Sequence, residues 1–172
     1  MSLHRKLQEL AANHQSIKVG LIGAGKFGSM YLSQIPNTPG VHLTGIADLS
    51  PSGVKKNLAR VGWKDEQSNA ASLDEAIKTG QTHISDDWEA LASHPAIDVI
   101  VECTGHPIAA VDHCLLAFKN GKHVVNVTVE ADAFCGPLLA NKAAEAGVVY
   151  SLAFGDQPAL ICDLVDWARS EE

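Results

Sequence analysis

Short apolar, β-branched runs alternate along this chain with longer segments whose apolar residues recur at helical spacing. The runs fall at 17–22, 41–47, 97–101, 123–128 and 148–152. Each has the length of a strand, and most are apolar throughout instead of alternating in and out. That texture suits strands buried on both faces, in a parallel sheet covered by helices. Helix-period segments lie between them at 25–35, 51–61, 73–79, 86–93, 106–120 and 133–146. Their ends carry recognisable signals. Pro51 follows Ser50, an N1 proline behind an N-cap serine. Ser72 and Glu75 form a capping box, with Gly80 closing that helix. Asp86 and Glu89 repeat the spacing. Ile108, Val111, Leu115 and Phe118 share a face and stop at Gly121. Asp132 precedes a segment carrying Phe134, Leu138 and Leu139, although Gly136 and Pro137 inside it allow the helix to begin at Pro137.

The expected fold is therefore α/β, a doubly wound parallel sheet with right-handed crossovers. Residues 1–16 form an extension, with a helix over 3–12 on which Leu3, Leu7 and Leu10 share a face. Residues 17–172 form the main domain. The stretch 62–82 is the most polar and receives no firm element beyond the capped helix. Residues 159–169 read as an amphipathic helix with Leu160, Leu164, Val165 and Ala168 on one side.

Composition narrows the class. The 172 residues are 46% hydrophobic and 19% charged, which is globular and not disordered composition. A formal net charge of −7 repels a phosphate backbone on average, so nucleic acid is not expected as a partner. No run approaches the roughly 18 apolar residues of a membrane span, and the first 16 residues lack a signal-peptide core. Cys103, Cys114, Cys135 and Cys162 form no C-x-x-C pair and read as reduced thiols. The expectation is a soluble cytoplasmic protein. The eight histidines show no zinc spacing, and neither a hydrolase elbow nor a P-loop is present.

Candidate chemistry gathers where the apolar runs end. Gly23-Ala24-Gly25-Lys26-Phe27-Gly28 follows the first run and opens a helix. Gly23 lets the chain turn off the strand. Gly25 leaves room for a pyrophosphate at the backbone, and Gly28 lets the helix pack on the strand. The helix N-terminus then offers free N–H groups to phosphates. The alternative is a glycine-rich turn that binds nothing. Asp48 ends the second run about 20 residues on, where a carboxylate can take adenosine ribose hydroxyls and repel a 2′-phosphate. It could also cap the helix near Ser50. Glu102-Cys103-Thr104-Gly105-His106-Pro107 ends the third run; Thr104 and Gly105 can line the nicotinamide side, or this is an ordinary turn capped by His106 or Thr104. Asn126 and Glu130 end the fourth run, Glu130 facing nicotinamide ribose or substrate, with Asp132 read first as a helix N-cap.

These pieces, with Gly121-Lys122-His123-Val124-Val125-Asn126-Val127 and the stretch 154–169, resemble the N-terminal domain of NAD(P)-dependent oxidoreductases. The relatives are homoserine dehydrogenase and the glucose–fructose oxidoreductase / inositol dehydrogenase group. The chain is most similar to a homoserine-dehydrogenase-like branch whose longer members carry a C-terminal SAF-type domain. The resemblance implies a Rossmann domain binding NAD, with NADP still allowed by Ser50, Lys55 and Lys56. It implies hydride transfer with a small carbonyl or alcohol substrate. Gly23 to Gly28 would hold the pyrophosphate, Asp48 the adenosine ribose, Thr104 and Gly105 the nicotinamide half, and Glu130 the active-site edge. Glu130-Ala131-Asp132 stands where many glucose–fructose oxidoreductase relatives have Glu-Lys-Pro. That lysine is missing, and no catalytic acid or base is assigned. The substrate and dimerisation region is expected beyond residue 172, with self-association left open and little catalysis by this part alone. Two other readings are a non-catalytic dinucleotide sensor or scaffold and an S-adenosylmethionine methyltransferase.

Overall fold

The structure, a computed structural model, describes residues 3–153 and 159–170. The apolar runs become strands β1 (Ile17–Ile22), β2 (Val41–Ala47), β4 (Val99–Glu102), β5 (His123–Asn126) and β6 (Tyr150–Leu152), with β3 (His83–Ser85) between the second and third of them. The helices are α1 (Leu3–Ala12), α2 (Lys26–Gln34), α3 (Pro51–Arg60), α4 (Leu73–Thr79), α5 (Trp88–Ser93), α6 (Pro107–Lys119), α7 (Val129–Glu145) and α8 (Ala159–Ser170). All six strands join one sheet in the order β3-β2-β1-β4-β5-β6, and every neighbouring pair is parallel. Strand order reverses between β1 and β4, which puts the crevice for a ligand at their carboxyl ends.

Two apolar clusters, one on each face, explain the unbroken apolar runs. Leu21, Leu32, Ile46, Val54 and Leu58 form one, under α2 and α3. Leu91, Ile100, Phe118, Val124 and Leu139 form the other, under α5, α6 and α7. Burying each such side chain stabilises the fold by roughly 1.5–3 kcal/mol before entropy is counted. Gly20 and Gly45 are register partners in β1 and β2, and Leu91 sits over both. A Cβ at Gly45 would come within 2.6 Å of that leucine, so α5 rests directly on the backbone there.

Several elements differ from the sequence reading. β3 is not among the expected strands; it has three half-buried residues and is held by pairing with the end of β2. Asp87, not Asp86, caps α5, accepting from the Ala90 N–H at 2.8 Å. The buried face of α6 is Ala110, His113, Cys114, Ala117 and Phe118, while Ile108 is 69% exposed. Ala110, Cys114 and Ala117 let α6 lie close to the sheet and to α7, with the His113 and Phe118 rings filling the same face. α7 starts at Val129 with Thr128 at its N-cap, so Asp132 lies in its first turn and caps nothing. Its backbone breaks at Cys135, ahead of Gly136 and Pro137, where the sequence allowed a start. Phe134 and Leu138 on it are exposed; Leu139 is buried. The N-terminal helix packs against the start of β2: the Leu7 carbonyl stands where a Cβ on Gly40 would have to go. Residues 154–158 and the Leu160 side chain lie outside the described residues.

Candidate functional site

The glycine loop leaves β1 and enters α2 at the carboxyl edge of the sheet. Its three glycines do three different jobs. Gly23 has φ +90°, and a Cβ there would meet the Thr104 nitrogen at 2.8 Å. The turn therefore passes hard against the end of β4. A Cβ at Gly28 would lie 2.7 Å from the Gly23 carbonyl oxygen, so this glycine brings α2 onto the loop. At Gly25 a Cβ would meet nothing within 4 Å. Packing does not require glycine there; open space lies over the N-terminus of α2. Gly25 is the N-cap and supplies no side-chain cap, so the first N–H groups of α2 have no intrahelical partner.

Asp48 stands beside this loop, one strand over. Its Oδ2 accepts from the Ala24 N–H at 2.8 Å, and its Oδ1 accepts from the Ser50 N–H at 2.8 Å. Each oxygen keeps a further lone pair for another donor. Ser50, not Asp48, caps α3, its hydroxyl accepting from the Gly53 N–H at 3.3 Å. Asn57 on α3 donates from Nδ2 to the Ala24 carbonyl at 3.1 Å. Ala24 is thus held at both its N–H and its carbonyl. Nothing in the sequence marked Asn57; the one available signal was a polar residue beside the buried pair Val54 and Leu58.

Across the switch point, Cys103 is buried and donates its thiol hydrogen to the Gly23 carbonyl at 2.8 Å. Burial pushes this thiol well above its ordinary pKa, and the nearby charges of Glu102 and Asp48 push it further. Thr104 and Gly105 are exposed at the end of β4, Gly105 with φ +71°. His106 caps α6 by accepting from the Ala109 N–H at 3.3 Å. Glu102, at 0% exposure, takes hydrogen bonds from Thr104, Thr128 and His113. The sequence placed Glu102 in a motif without a role; a lone acid ending an apolar run was the signal.

At the end of β5, Asn126 is fully buried. It donates to the Thr128 carbonyl at 3.1 Å and to the Tyr150 hydroxyl at 3.0 Å. Tyr150 in turn donates to Asp132 at 3.0 Å, and burial raises its pKa. Glu130 is exposed in the first turn of α7. Gly23 to Gly28, Asp48, Thr104, Gly105 and Glu130 therefore all lie along the carboxyl edges of β1, β2, β4 and β5. Concave surfaces also occur at the opposite edge. One of about 460 Å³ is lined by Pro36, His42, Trp63 and Gln81, none of them at the glycine loop. Among the described residues, no group of three or more His, Cys, Asp or Glu side chains is placed to hold a metal, and no helix is long and apolar enough to cross a membrane.

The residues fit a dinucleotide. The space over Gly25 would admit a pyrophosphate to the uncapped amides of α2, and Asp48 retains acceptor capacity for ribose hydroxyls. Comparison with known proteins agrees. The chain is 30% identical over 133 residues to a homoserine dehydrogenase of Pseudomonas aeruginosa, covering 77% of this chain but 28% of that protein. A crystal structure of a homoserine dehydrogenase from Thiobacillus denitrificans aligns with TM-score 0.58 and 22% identity, over 80% of this chain and 29% of the other. A levoglucosan dehydrogenase, solved with NADH and L-sorbose, aligns with TM-score 0.55 and 20% identity, over 81% and 35%. These two share the fold. The family model for the NAD-binding domain of homoserine dehydrogenase matches residues 23–152, and the chain belongs to that family of NAD-binding domains.

Proposed function

We propose that residues 17–172 are the coenzyme-binding part of an NAD-dependent oxidoreductase that moves hydride between nicotinamide and a small carbonyl or alcohol substrate. The observation that carries this reading is the pairing of open space at Gly25 with a carboxylate one strand away. The amides of α2 would hold the pyrophosphate, and Asp48 would receive the adenosine ribose. A carboxylate at that point repels a 2′-phosphate, which favours NAD over NADP even with Lys55 and Lys56 exposed on α3. Thr104, Gly105 and Glu130 would border the nicotinamide half. When bound, nicotinamide supplies the hydride chemistry; this chain supplies binding and orientation.

The chain spans 28% of the length of its curated relative. We assign substrate binding, the proton donor and any self-association to a region that such relatives have and residues 1–172 do not include. Calorimetric titration of the 172-residue chain with NADH, NADPH and S-adenosylmethionine tests the reading. Tighter binding of NADH than of NADPH is expected. Preference for S-adenosylmethionine, or binding of none of the three, refutes it.

A further inference from the structure

We propose that Glu102 is a positioning residue that holds the two loops bordering the nicotinamide half of the dinucleotide, a step that rests on the dinucleotide reading above. The topology divides the ligand. Asp48 lies at the end of β2, so the adenosine half lies on that side of the switch point and the other half lies over the ends of β4 and β5. Glu102 ends β4, in register with Asn126 of β5 and Ile22 of β1.

The directions of the hydrogen bonds show what the carboxylate does. The His106 N–H donates to Thr104 Oγ1 at 3.2 Å, and the Gly105 N–H donates to Thr128 Oγ1 at 3.0 Å. Each hydroxyl thus accepts from a backbone amide and turns its own hydrogen to Glu102. Thr104 reaches Oε1 at 2.6 Å, and Thr128 reaches Oε2. Oε1 also faces His113 Nδ1 at 3.1 Å and the Thr104 N–H at 3.3 Å. Two hydroxyls, one backbone N–H and the His113 ring nitrogen thus converge on one carboxyl group. On its far side the His113 ring packs against Trp88 of α5, centroids 4.5 Å apart.

Two features separate this from ordinary core filling. An apolar side chain of similar size would occupy the position without the desolvation cost of a buried carboxyl group. Thr128, moreover, sits at the N-cap of α7 yet makes no side-chain cap bond. Its hydroxyl is committed to the link between Gly105 and Glu102, although N-cap threonines commonly serve their own helix. One buried carboxylate therefore fixes the β4–α6 loop directly and through Thr128, the first residue to be shared with the β5–α7 loop.

The test compares NADH with ADP, which lacks the nicotinamide and its ribose, on the full 172-residue chain. In wild type, NADH is expected to bind more tightly than ADP. Glu102→Gln places an amide where hydroxyl hydrogens point, and should weaken NADH about tenfold while ADP stays within about twofold. Thr128→Val breaks the relay without touching the carboxyl group and should do the same; Thr128→Ser keeps the hydroxyl and should restore NADH binding. The Thr128 pair decides the matter if Glu102→Gln does not fold. Equal weakening of both ligands, failure of Thr128→Ser to rescue, or equal wild-type affinity for NADH and ADP overturns the proposal alone. A wild-type chain that binds neither overturns the dinucleotide reading and this proposal with it.

Discussion

Gly25 and Gly23 lie two residues apart, yet their substitution should have opposite consequences. At Gly25 a Cβ meets nothing within 4 Å, so no neighbouring atom opposes the side chain of Gly25→Val. A poor N-cap costs up to about 1 kcal/mol. The added isopropyl group fills the space through which phosphate oxygens would reach the amides of α2. Charge-assisted bonds of that kind contribute about 1.5–3 kcal/mol each. Losing two of them lowers affinity at least about 100-fold. Gly23→Ala does the reverse. It forces a Cβ at φ +90° to within 2.8–2.9 Å of the backbone of Cys103 and Thr104. Left-handed backbone costs about 1–2 kcal/mol and overpacking about 1–3 kcal/mol. At this chain length that lowers the melting temperature by about 4–20 °C. Thermal melts and NADH fluorescence titration, run on both variants, check the contrast. If Gly25→Val melts as low as Gly23→Ala, or still binds NADH within about twofold of wild type, the space over Gly25 is not a phosphate site.

Asp48→Ala removes the acceptor for two backbone N–H groups as well as the proposed ribose contact, so NADH affinity should fall about tenfold or more while NADPH loses less; an unchanged NADH-to-NADPH ratio in parallel titrations leaves Asp48 as a loop anchor only. Asn57→Ala frees the Ala24 carbonyl at a cost of about 1 kcal/mol, and should weaken NADH several-fold while lowering the melting temperature by about 2–4 °C. A calorimetric Kd equal to wild type would remove Asn57 from the site. Burial pushes the Cys114 thiol up to about 12, and Cys103 is raised too, so both are almost wholly protonated at pH 8. Cys162 is exposed and should react first with a thiol reagent at that pH, with Cys103 and Cys114 reacting only after denaturation; peptide mapping that finds Cys103 labelled early in folded protein would contradict its burial.

Local rules wrote most of this fold into the chain. Apolar runs buried on both faces identify a parallel sheet wherever they occur, and Ser50, Ser72 and Gly80 mark helix ends through hydrogen bonds that reach only a few residues. The glycine loop was legible for the same reason: turn, helix start and acid at the next strand end are all near one another in sequence. Tertiary structure decided the rest. β3 exists because the end of β2 offers an unpaired edge, and three residues carry no periodicity of their own. The inward face of α6 is chosen by close packing and not by hydrophobicity alone, so Ala110 and His113 are buried while Ile108 stays outside. Asn57, His113 and Thr128 took their roles from partners 33, 11 and 26 positions away, on elements that only the folded sheet brings together. Whether a polar side chain is a cap, a clamp or a hub depends on which donors the folded sheet carries to it. That is settled only when β1, β2, β4 and β5 lie side by side.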